Sequence, residues 1–93
     1  MISKIKLALR ISHSYLDDEI LDKIKVARAE MIRSGISENM ANSIQDPLID
    51  NAIKAYCMYA FCNDSKIADG YFKSWEYQLD NLRKTAKYSS GGD

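Results

Sequence analysis

Apolar residues recur at helical spacing through the second quarter of the chain, and this pattern predicts an amphipathic helix. Acidic residues lie in its first turn and Arg33 in its last turn, where they interact favourably with the positive and negative ends of the helix dipole. Ser14 or Asp17 is the expected N-cap, and Gly35 is the expected stop. The residues that define the stripe are Leu16, Ile20, Ile24, Ala27 and Met31.

Two segments have weaker patterns. In residues 2–11 the apolar side chains alternate as in a strand, yet Ile2, Ile5 and Leu9 also share one helical face. A short helix is favoured because few Gly or Pro residues punctuate the chain. Residues 36–45 are rich in Asn, Ser and similar breakers, and we expect a loop there with room for one helical turn.

The strongest start signal is Asp46-Pro47, where the carboxylate can cap free N–H groups and proline fits the first helical position. The helix that follows is apolar on one broad face and also nearly uncharged on the other, where Ala55, Met58 and Phe61 lie. Such a helix must be covered on all sides. It is either the central helix of the core, the more common case, or it keeps a face for another subunit.

Asn63-Asp64-Ser65 is expected to end that helix, and Asp69-Gly70 to open the last one. The last helix has an apolar stripe and a solvent-exposed polar face. On that face Asp80 precedes Lys84 by four residues, which is the favourable order for an ion pair on a helix. The fold predicted is all-α, a compact bundle of about four helices in residues 1–88, with a disordered tail at 89–93. The stripe consists of Tyr71, Trp75, Leu79, Leu82 and Ala86.

The chain has 93 residues with 13 Lys and Arg against 13 Asp and Glu, so it is one neutral domain. Zero net charge argues against non-specific nucleic-acid binding, which depends on excess cations. Charges interrupt residues 1–7, where a secretory leader needs an apolar run, and the longest uncharged run, 55–63, is far shorter than a membrane span. We expect a protein made and kept in a cytosol, with no membrane partner.

No constellation in the sequence supplies catalytic chemistry. The single imidazole, His13, lies in a polar turn, and the spacing of Cys57 and Cys62 places them on different sides of a helix. Asp17, Asp18 and Glu19 are better explained by the positive end of a helix than by a metal site. Neither an enzyme nor a metal or other cofactor is expected.

Side chains typical of protein interfaces are frequent, with six Tyr, one Trp and four Met. Tyr71, Phe72, Trp75 and Tyr77 are crowded into the last helix. Tyr56, Tyr59, Tyr71 and Trp75 are expected to build the core with their polar tips at its edge, and some of the interface-type side chains must face outward.

The order of these features resembles one known family. The string Lys6-Leu7-Ala8-Leu9-Arg10-Ile11 is followed by a helix from Asp18 with Ala27-Arg28, by Gly35, and by Asp46-Pro47-Leu48-Ile49 opening an apolar helix. The chain closes with Tyr71-Phe72-Lys73-Ser74, Leu79, Leu82-Arg83 and Tyr88. In this order and spacing, over residues 4–88, the chain is similar to the small head–tail connector, or adaptor, proteins of tailed phages and prophages.

The resemblance implies a structural protein of virion assembly. Its subunits form a ring, usually twelve-fold, below the portal, sometimes only after the portal templates them. The ring extends the DNA channel, so DNA is passing cargo, and docks a stopper or tail-completion protein. The location implied is the head–tail interface of the virion, after assembly from the host cytoplasm. One departure is Tyr59-Ala60-Phe61-Cys62, which is apolar where many relatives are polar.

Ring contacts join different patches of identical subunits. One hypothesis pairs the acidic start of the second helix with the basic segment Lys4, Lys6 and Arg10. The alternative function is a small helical DNA-binding or regulatory protein with a helix-turn-helix at Gly35, although residues 36–45 are too long for its turn. The candidate subunit or partner contacts are Lys6, Arg10, Asp18, Met58, Phe61, Trp75 and Tyr77.

Overall fold

The computed structural model describes residues 1–89, and this part of the chain forms five helices and no strand longer than an isolated bridge. The all-α prediction is confirmed. Four helices match those expected from the sequence, and a one-turn helix lies in the segment expected to be a loop with room for one helical turn. The helices are α1 (Ile2–Leu9), α2 (Asp17–Ser34), α3 (Glu38–Ala41), α4 (Pro47–Ala60) and α5 (Ser65–Lys84).

The ambiguous first segment is helical. Ile5 is completely buried, while Leu7, which would share its face in a strand, is 81% exposed. Arg10 ends the helix in the left-handed conformation at φ 59°, and its N–H bonds back to the last turn of α1. Helical spacing therefore decides which apolar side chains of this segment enter the core.

The start of α2 differs from the sequence prediction. Its N-cap is Leu16, which makes no side-chain cap, so the expected cap from Ser14 or Asp17 is wrong. Asp17 is instead the first helical residue and pairs with Lys6 of α1, with 2.8 Å between Nζ and Oδ1. Gly35 ends the helix at φ 113°, as predicted.

The segment after Gly35 contains α3. The hydroxyl oxygen of Ser37 accepts a bond from the N–H of Met40 and caps the helix. Arg28 of α2 donates from one guanidinium nitrogen to the carbonyl oxygens of Ala41 and Ser43, at 2.7 and 2.9 Å. These two bonds fasten the end of α3 to α2, so the segment is an ordered connection.

Helix α4 starts as predicted, with Asp46 as its N-cap and Pro47 at its first helical position. Oδ1 of Asp46 accepts from the N–H groups of Leu48 and Ile49, and Pro47 is the first helical residue. The helix packs against α1, α2 and α5 and is the centre of the fold. The buried core consists of Ile5, Ile20, Ile24, Ala27, Met31, Ile36, Ala41, Ile49, Ala52, Ile53, Ala55, Cys57, Trp75, Leu82 and Tyr88.

Helix α5 starts earlier than the sequence predicted. Asp64 caps it, accepting from the N–H groups of Lys66 and Ile67, so Asp69-Gly70 lies inside the helix and the predicted start there is wrong. The expected stripe is buried or half-buried up to Leu82, but the helix ends at Lys84 and Ala86 is exposed beyond it. The predicted pair of Asp80 and Lys84 forms at 2.8 Å.

After α5 the chain turns back onto the bundle. Tyr88 is buried, its carbonyl oxygen accepts from the N–H of Ser37 at 2.7 Å, and Ser89 forms an isolated antiparallel bridge with Ile36. The tail expected at 89–93 thus includes one residue that pairs with the domain, and residues 90–93 lie outside the described part.

Candidate assembly surfaces

Trp75 and Tyr77, two candidates from the last helix, lie in opposite environments. Trp75 is 3% exposed, and its ring packs against that of Tyr56 with the centroids 5.0 Å apart. Tyr77, two positions later, is 71% exposed. Of these two, Tyr77 is the one whose ring another protein can reach in the folded subunit.

Met58 and Phe61, the candidates on the nearly uncharged side of α4, are both half-buried. Phe61 packs against the core at the end of the helix. Met58 lines a shallow groove of about 170 Å³ between α4 and α5. The other residues lining this α4–α5 groove are Asn51, Lys54, Ala55, Tyr71, Ser74 and Gln78.

The α4–α5 groove continues towards α1. A second depression, of about 180 Å³, shares Asn51 and Lys54 with it and extends to Lys4, Pro47 and Asp50. In this depression Lys4 pairs with Asp50 at 2.9 Å. Lys54 is exposed and has no hydrogen bond or ion pair within residues 1–89. The outer surface of α4 is therefore a channel of mixed apolar and polar side chains, in which Lys54 is a cation unpaired within residues 1–89.

Of the charged candidates near the N-terminus, some form ion pairs within the chain and others are exposed to solvent. Lys6 is four-fifths buried at its side chain and pairs with Asp17, and Lys4 pairs with Asp50. These lysines, assigned from sequence to a contact between subunits, thus have partners within the chain. Arg10 and Asp18 are both exposed, at the end of α1 and the start of α2.

The outward face of α2 is acidic. Its buried stripe, Ile20 to Met31, faces the core, and Asp18, Glu19 and Asp22 are exposed near its N-terminal end. None of these three carboxylates has a hydrogen bond or ion pair to any residue in the described range. Lys25 is the cation of the same face.

Three large apolar or aromatic side chains are exposed to solvent although the sequence pattern did not indicate them as contacts. Leu7, Tyr15 and Ile44 are 81%, 88% and 81% exposed. Periodicity assigned Leu7 to an ambiguous segment, and Tyr15 and Ile44 lie in connections, where spacing carries no signal. The ring of Tyr15 packs against that of His13 with the centroids 5.0 Å apart.

Cys57 has the environment of a small apolar residue rather than of a nucleophile. Cys57 is completely buried, and burial raises the pKa of its thiol to about 11. Cys62 is half-buried, and both are free thiols. A thiol with a raised pKa is protonated at neutral pH and is a poor nucleophile.

Two further properties hold for residues 1–89. No group of three or more His, Cys, Asp or Glu side chains is placed to hold a metal ion. No helix in this range combines the length and hydropathy needed to cross a bilayer.

The comparison with protein families agrees with the resemblance seen in the sequence. A family model described as phage connector protein matches residues 1–93, which is the whole chain. The chain therefore belongs to the phage connector protein family. It is a phage structural protein and a component of the virion. Searches of curated proteins and of solved structures give no significant match.

Proposed function

We propose that this chain is a head–tail connector subunit. Identical copies assemble as a ring, twelve-fold in the form usual for the family, below the portal. The ring extends the DNA channel and offers a surface for the stopper or tail-completion protein. The observation that carries the proposal is the family match over all of residues 1–93.

The charge balance of the chain supports this role. With 13 cations and 13 anions the subunit has no net attraction for phosphates. A channel wall must let DNA slide, and each fixed phosphate contact would hold it back. DNA is then passing cargo rather than a bound ligand.

The surface of the subunit also supports assembly with other proteins. Tyr15, Tyr77 and Ile44 are exposed, and Met58 lines an open groove. Tyrosine and methionine are enriched in the cores of protein interfaces. The regulatory alternative gains no such support, because the helix after Gly35, Glu38–Ala41, is a single turn without a cation.

Deletion of the gene from the phage or prophage that carries it tests the proposal. We expect filled heads without tails by negative-stain microscopy, and tailed particles again when the gene is supplied on a plasmid. Normal tailed particles from the deletion would overturn the proposal.

Native mass spectrometry of the purified chain is the second test. Rings of about a dozen copies are expected, either from the chain alone at high concentration or after mixing with the portal. A chain that neither forms rings nor binds the portal contradicts the ring proposal.

A further inference from the structure

Two faces of the subunit lie on opposite sides of α4. Glu30 of α2 lines a depression together with Trp75, whose ring packs against Tyr56, so α2 packs on the side of α4 that carries Tyr56. At 100° per residue, Asn51 and Met58 lie about 140° or more from Tyr56 around the axis. The α4–α5 groove therefore opens away from α2, on the other side of α4.

The outward face of α2 presents one exposed apolar side chain, Leu21, among acidic side chains. Leu21 is 45% exposed, Asp18 is its neighbour one turn earlier on the helix surface, and Asp22 is exposed beside them. Lys25 is one turn further along. With Glu19 included, this face carries three carboxylates and one cation, and no other part of residues 1–89 pairs with the carboxylates.

The α4–α5 groove has the complementary character. Its walls include Ala55, Met58 and Tyr71, and the unpaired cation Lys54 lies on its rim. Where the groove continues towards α1, the charges of Lys4 and Asp50 cancel. The groove is therefore lined by apolar and neutral polar side chains, with a single positive charge at its edge.

We propose that the α4–α5 groove of one subunit receives the acidic outer face of α2 from the next, with Leu21 over Met58 and Asp22 beside Lys54. This inference rests on the proposed function, because it identifies the two surfaces that meet in a ring of identical copies. Such a contact is heterologous: each subunit uses the groove on one side and the acidic face on the other. Two different faces on opposite sides of a subunit allow the same contact to repeat around a closed ring.

Charge reversal and its rescue test the pairing in the phage that lacks the gene. Asp22→Lys and Lys54→Glu each place like charges together at the contact, which opposes assembly strongly. Each variant alone should lower the number of tailed particles by about tenfold or more. The double variant Asp22→Lys/Lys54→Glu restores opposite charges across the contact and should return tailed particles to within about threefold of the wild type.

Two matched variants control for charge alone. Glu76→Lys and Lys73→Glu reverse exposed charges of α5 that do not line the groove, and Lys73→Glu also breaks the exposed ion pair of Lys73 with Asp69. Both should assemble as the wild type does. All four single variants change exposed residues, and circular dichroism should show the wild-type helix content for each.

The outcomes separate this inference from the function on which it rests. Single variants as active as the wild type, or a double variant no better than the singles, would overturn the pairing while leaving the connector role intact. A deletion that produces normal tailed particles overturns both.

Discussion

The hydroxyl of Tyr88 donates a hydrogen bond of 2.8 Å to Oδ2 of Asp46, 42 positions earlier in the chain. The other oxygen of the same carboxylate caps α4. One side chain thus joins the start of the central helix to the end of the described chain. Lys87 adds a longer contact of 4.0 Å to Oδ2.

Tyr88→Phe should lower the stability of the domain by about 1–2 kcal/mol, because a nearly buried carboxylate oxygen loses its donor. For a domain of this size the expected fall in melting temperature is about 5–10 °C. Thermal denaturation followed by circular dichroism measures it. Tyr77→Phe removes an exposed hydroxyl without a partner in the described structure and should leave the melting temperature unchanged.

Asp46→Ala should cost more than Asp64→Ala. Both residues cap a helix through one carboxylate oxygen, which is worth about 1 kcal/mol, but Asp46 also accepts from Tyr88. We expect a loss of about 2–3 kcal/mol against about 1 kcal/mol in urea denaturation. Equal losses would mean that the bond from Tyr88 adds nothing to the cap.

Stability should fall in acid partly through Asp46. Burial by itself would raise the pKa of this carboxyl, but the bonds from Tyr88 and from the N–H groups of Ile49 and Leu48, with the charge of Lys87, lower it overall. Its contribution is present above the unfolded pKa of about 4 and is lost as pH falls through the lower folded pKa. Melting temperatures from pH 7 to pH 2 should fall less steeply for Asp46→Asn than for the wild type.

Asp80→Asn is the control for the acid experiment. The hydrogen bonds from Lys84 and Arg83 lower the pKa of Asp80, but these pairs are exposed and screened by solvent. Between pH 7 and pH 2 the melting temperature of Asp80→Asn should fall about as steeply as that of the wild type. A larger effect at Asp80 than at Asp46 would contradict the role given to the buried contact.

Stability should also fall in alkali, through two buried acids. Burial raises the pKa of Cys57 to about 11. The pKa of Tyr88 is also raised, mainly by burial and to a smaller extent by its hydrogen bond to Asp46. Each group contributes stability that is complete below its unfolded pKa and is lost as pH rises through the folded one. Melting temperatures should therefore decline from about pH 9 upward, and less steeply in Tyr88→Phe.

The two glycines in the described helical region should respond to alanine in opposite directions. Gly35 has φ 113°, which strains any L side chain, so Gly35→Ala should destabilise by about 1 kcal/mol or more. Gly70 lies inside α5 with no atom within 4 Å of an added Cβ. Gly70→Ala should therefore stabilise by up to about 1 kcal/mol, measured by urea denaturation. A loss of stability at Gly70 would contradict the open space seen there.

The misassigned start of α5 shows where local signals fail. Asp69-Gly70 looks like a helix start, and Asp64 looks like the end of the previous helix. Both aspartates are suitable caps by sequence, and in the structure Asp64 is the one that accepts from free N–H groups, those of Lys66 and Ile67. A glycine inside a helix costs about 1 kcal/mol, which tertiary contacts readily outweigh.

The candidate contact residues likewise show that sequence spacing identifies an apolar face but not what covers it. Helical spacing placed Trp75 and Met58 on apolar faces, but a face that is apolar can be covered by the same chain or by another. The structure buries Trp75 against Tyr56 and leaves Met58 at the wall of a groove. Lys6 and Asp17 could be seen only as opposite charges in sequence, and the fold brings them to 2.8 Å.

The sequence by itself determined the features that depend on neighbours within one helical turn. These are the cap and proline that start α4, the glycine that ends α2 and the all-α class. Tertiary structure alone decided which charges are paired and which apolar side chains remain open, including Tyr88 on Asp46 and Met58 in the α4–α5 groove. The physical reason is that helix ends are set by local hydrogen bonds, whereas burial and pairing depend on segments that are distant in sequence.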